Sequence, residues 1–64
     1  MSSARTAEIG AIADGIENYR SRVAGLAEPL VGTPKEDLLS ALYEAERLLM
    51  GAYRVLRRAT DLSR

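Results

Sequence analysis

A chain of 64 residues and 7.0 kDa has room for one domain, and a domain that small buries only about 60% of the surface its unfolded chain exposes. Nine basic and nine acidic residues cancel to a formal charge of +0, which leaves no overall field to gather polyanions or seek an anionic membrane. With no His and no Cys, imidazole bases, thiol nucleophiles, disulfide staples and the usual zinc ligands are excluded, so the sequence predicts no catalytic, metal or cofactor site.

What remains to stabilise so small a domain is association with another copy or another protein. Hydrophobic residues at 47% against 28% charged fit a packed helical protein rather than a solvated tail. Neither a signal sequence nor a run near the roughly 20 apolar residues of a membrane span is legible, and the expected location is the cytoplasm. Eight of the nine basic residues are Arg and Ala is abundant, a bias expected of a GC-rich bacterial genome.

The first predicted helix covers about residues 4–28. Ile9, Ile12, Ile16, Tyr19, Val23, Leu26 and Leu30 recur at alternating spacings of three and four, a seven-residue repeat that predicts one narrow apolar seam of coiled-coil type. Small residues flank it, and Gly10, Gly15 and Gly25 each cost about 1 kcal/mol against Ala in a helix, so this helix is expected to depend on packing. Pro29 ends it, because the residue before a proline is steered out of the helical region and proline donates no backbone hydrogen bond.

Residues 28–33 read as a turn, and Thr33-Pro34-Lys35-Glu36 as a helix start. Thr33 offers a capping hydroxyl, Pro34 suits the first helical position, and Glu36 at the third can reach back to the cap. Asp37 adds negative charge near the positive end of the helix dipole. The second predicted helix spans about 34–61, with Leu38, Leu42, Ala45, Leu49, Ala52, Leu56 and Ala59 on its seam. Ala41, Leu48, Val55 and Leu62 repeat along one flank, while Leu39, Tyr43, Met50 and Tyr53 extend the other. An apolar arc wider than half the helix exceeds what one partner helix covers.

The expected architecture is all-α: a single domain, 1–64, forming an antiparallel helical hairpin that dimerises into a four-helix bundle. In length and in its two capped helices it resembles, in outline, the small plasmid-encoded RNA-binding hairpin dimers. The expected function is a non-catalytic protein–protein interaction module, an adaptor or regulatory subunit acting through helix packing as a homodimer. Leu39, Tyr43, Met50 and Tyr53 are the candidate partner contacts, since tyrosine and methionine suit adaptable apolar docking. The alternative is a hairpin-dimer regulator that binds RNA or DNA through Arg47, Arg54, Arg57 and Arg58. Helix C-termini favour arginine for dipole reasons alone, Arg57 can pair with Asp61, and Glu17, Glu44 and Glu46 read as solvated charges.

Overall fold

The computed structural model describes residues 3–64 and has two long helices, α1 (Ala4–Ala27) and α2 (Glu36–Leu62), joined by a short 3-10 turn at Glu28–Leu30. They pack against each other in antiparallel fashion, since Thr6 near the start of α1 meets Ser63 at the end of α2 and Arg20 meets Glu46 midway. The expected hairpin is therefore present.

Ser3 caps α1 with its Oγ accepting the Thr6 backbone N–H at 3.2 Å. At the far end α1 stops at Ala27, where the sequence predicts, but Glu28 is not steered out of the helical region: it keeps φ −54° and ψ −47°, and Glu28–Leu30 tighten into the 3-10 turn with Pro29 inside it. Gly32 then takes a left-handed φ of 79°, which reverses the chain.

The predicted cap on α2 is not the one formed. The helix begins at Glu36 rather than Pro34, its N-cap is Lys35, and no side chain caps it. The Thr33 hydroxyl is already committed: it donates to the Leu30 carbonyl at 2.6 Å and accepts only a long 3.4 Å bond from the Lys35 N–H. Closing the 3-10 turn thus uses the hydroxyl that the capping motif requires, and the helix starts two residues later. Glu36 and Asp37 still occupy the first turn, where their charge complements the dipole.

The two helices make a thin rod, 52 × 14 × 10 Å across its Cα atoms. Its radius of gyration is 14.9 Å, against about 11 Å for a compact chain of 64 residues. Among the described residues only Ala13, Ala27, Thr6 and Thr60 are buried, and no large side chain is fully enclosed. Among the described residues the hairpin has a seam whose buried apolar side chains are two alanines. No described helix is long and apolar enough to cross a membrane.

Candidate protein-interaction surface

The line along which α1 meets α2 differs from the predicted seam. On α1 the inward positions include Thr6, Gly10, Ala13, Arg20, Ala24 and Ala27, spaced at threes, fours and their sums, all buried or half-buried. On α2 they are Leu39, Leu42, Leu49, Tyr53 and Leu56, with Glu46 among them and Thr60 at the end. The small α1 side chains leave room for the larger ones of α2, and polar ties hold the register. Thr6 Oγ1 lies 2.9 Å from Ser63 Oγ and donates to the Ser63 carbonyl at 3.1 Å, while Arg20 bridges the middle.

That bridge corrects the reading of two glutamates as solvated charges. Arg20 donates from Nε and Nη2 to both carboxylate oxygens of Glu17 at 2.8 Å, and from Nη1 to Glu46 at 2.9 Å. The fork geometry suits a bidentate carboxylate pair. Hydrogen bonding from Arg20 holds the Glu17 carboxyl below the usual glutamate range, and Glu17 raises the guanidinium in turn. Glu44 instead approaches exposed Arg47 at 3.7 Å, and Asp61 approaches Arg64 at 3.7 Å rather than Arg57.

Because the inward line is rotated, the predicted α1 seam is left at the side of the hairpin. One of its rows, Ile9, Ile16, Val23 and Leu30, is half-buried at the edge of the helix contact. Its other row is exposed: Ile12 at 46%, Tyr19 at 58% and Leu26 at 64%. On α2, Leu42, Leu49 and Leu56 of the predicted seam point inward, whereas the row of Leu38, Ala45, Ala52 and Ala59 lies at the edge. Beyond it Ala41, Leu48, Val55 and Leu62 are exposed.

In antiparallel helices, rows that precede the inward positions in each heptad lie on the same side of the pair. These four rows therefore form one broad face along the hairpin. From Ile9 to Leu30 on α1 and from Leu38 to Leu62 on α2, no position of these rows carries a charge, and the Tyr19 hydroxyl is their one polar side-chain group. Arg22 lies over the Tyr19 ring at 5.4 Å from its centroid, reaching round from the back of α1.

Of the predicted partner residues, only Tyr43 and Met50 lie on the other side. Leu39 and Tyr53 are in the inward line, Met50 is half-buried beside it, and Tyr43 is 49% exposed. Tyr43 and Met50 come together with Glu46, Arg47 and Arg54 around a shallow depression of about 240 Å³. The four candidate nucleic-acid arginines do not form a single line: Arg47, Arg54 and Arg57 share this side, and Arg58 lies on the back of α2. Among the described residues, no three acidic side chains converge on a metal-sized site.

The fold and this surface define a two-helix hairpin with one charge-free flank. No known protein family, curated protein or solved structure matches the chain in comparisons of sequence and fold.

Proposed function

We propose that this chain is a non-catalytic protein–protein interaction module that acts by helix packing, with its charge-free face closing against a second copy to give a four-helix bundle. The observation that carries this reading is the pairing of a charge-free apolar face on both helices with a hairpin that encloses no large side chain. Monomeric soluble proteins rarely expose an apolar patch of that continuity.

Surface area supports the same reading. The chain exposes 4865 Å², whereas a compact monomer of 7.0 kDa exposes about 4,000 Å². The excess, about 800 Å², matches what each partner buries in a protein–protein interface of ordinary size. In the dimer the edge formed by Tyr43 and Met50, backed by Leu39 and Tyr53, stays on the outside, and we assign to it the contact with another protein in an adaptor or regulatory role.

Light scattering during size exclusion tests the reading. Twice the chain mass for the wild type, and a single chain mass for Leu48→Glu, are the results expected. A wild-type monomer that is stably helical would overturn it.

A further inference from the structure

The charge-free face is unequal across its width. On α1 and the turn, each residue of the face from Ile9 to Leu30 is Val or larger, while on α2 the row nearest the helix contact holds Ala45, Ala52 and Ala59 after Leu38. The register set by Thr6 with Ser63 and by Arg20 with Glu46 brings Ile9 level with Ala59, Ile16 with Ala52, and Val23 with Ala45. In the outer rows the same register brings Ile12 level with Val55, Tyr19 with Leu48, and Leu26 with Ala41.

Two copies stacked face to face can be related by either of two axes. An axis across the helices sets α1 on α1 and α2 on α2, with the turns at opposite ends. Branched side chains would then crowd one side of the bundle and alanines would meet alanines on the other, forcing unequal helix separations. An axis along the helices sets α1 of each copy on α2 of the other, with the turns together. In the inner rows Ile9, Ile16 and Val23 then face Ala59, Ala52 and Ala45 of the partner copy at their own heights, the outer rows pair Ile12 with Val55 and Tyr19 with Leu48, and the two inter-copy contacts are equivalent. Close packing of large against small is what core density requires.

Charge is the competing consideration. Arg54, Arg57, Arg58 and Arg64 lie toward the open end and Glu28, Glu36 and Asp37 toward the turn, so opposed turns would juxtapose opposite signs. None of these residues lies on the charge-free face, and charges separated by more than about 8 Å across solvent are largely screened at physiological salt. Packing therefore decides.

We infer that the occupant of the charge-free face is a second copy of this chain, related by a two-fold axis parallel to the helices, with both turns at the same end of the bundle. This rests on the dimer proposed above and adds its geometry.

The chain has no cysteine, so a single Lys35→Cys variant, altered at an exposed residue beside the turn, carries one spin label per copy. An Arg64→Cys variant labels the open end. Pulsed dipolar distances between copies are expected to be short for both variants, roughly 20–30 Å given helix separations of 8–10 Å and flexible label arms. Long distances for both, near the 52 Å length of the hairpin, would overturn the geometry while leaving the dimer standing. Absence of dipolar coupling, together with a single chain mass, would overturn both. Circular dichroism of each labelled variant verifies that the helices remain formed.

Discussion

Arg20 on α1 and Glu46 on α2 are joined at 2.9 Å across the middle of the hairpin, and the same guanidinium grips Glu17 through two bonds of 2.8 Å. In a seam with no fully enclosed large side chain, this bridge fixes which residues stand level on the two helices. Arg20→Ala is expected to lower the thermal midpoint, because Glu46 keeps its charge and loses its partner. Arg20→Lys should recover only part of the loss, since an ammonium cannot grip both oxygens of Glu17 as a fork. Thermal unfolding followed by circular dichroism measures both.

Acid should weaken the fold through the same cluster. Glu17 has a folded pKa below its unfolded value, so its contribution to stability is fully present at neutral pH. That contribution begins to fall as pH drops through the ordinary glutamate value of about 4.3 and is lost once pH passes below the depressed folded value. Arg20, raised further, stays protonated throughout. Glu17→Gln is expected to flatten the acid limb of a stability-versus-pH profile measured in urea, whereas Glu44→Gln, an exposed residue with a 3.7 Å contact, should leave it in place.

The glycines divide by backbone geometry. A Cβ built on Gly15 or Gly51 meets nothing within 4 Å, and both lie on the backs of their helices. Gly15→Ala and Gly51→Ala should each stabilise by about 0.4–1 kcal/mol and leave the mass in solution unchanged. Gly32 holds a φ of 79°, so Gly32→Ala should destabilise by about 1 kcal/mol or somewhat more. Denaturant melts of the three variants give the comparison.

How far the sequence carries is clearest on α1. The stop at Pro29 and the two-helix outline are legible because proline chemistry and seven-residue periodicity act locally. The direction in which Ile12, Tyr19 and Leu26 point is not local. Apolar periodicity marks a stripe to be covered without saying by which helix, and here Ala13, Ala27 and the Arg20 bridge take the place opposite α2. A sequence signal for the exposed face does exist: two adjacent heptad rows free of charge on each helix, wider than one neighbour covers. The capping motif at Thr33 misleads because its hydroxyl has a competing acceptor, the Leu30 carbonyl, created only when the 3-10 turn closes. The Arg20 bridge hides because Glu46 is 26 residues away in sequence.

The two sides of the hairpin should respond differently to substitution. Tyr19→Glu and Leu48→Glu each place a charge on the charge-free face at residues that are 58% exposed, so they cost the isolated hairpin little packing. Both should convert the proposed dimer to monomer and reduce helicity. Tyr43→Ser and Met50→Ser should leave the dimer intact, because these residues sit on the opposite side. Sedimentation velocity of the four variants reads the difference.

Central to the account is that the hairpin depends on covering its charge-free face, and the concentration dependence of thermal unfolding tests this most directly. Folding coupled to association makes the midpoint rise with protein concentration. A midpoint that climbs steadily over a hundredfold concentration series, with helicity lost at the dilute end, is the predicted result. A midpoint independent of concentration, in a chain that remains fully helical as a monomer, would contradict it.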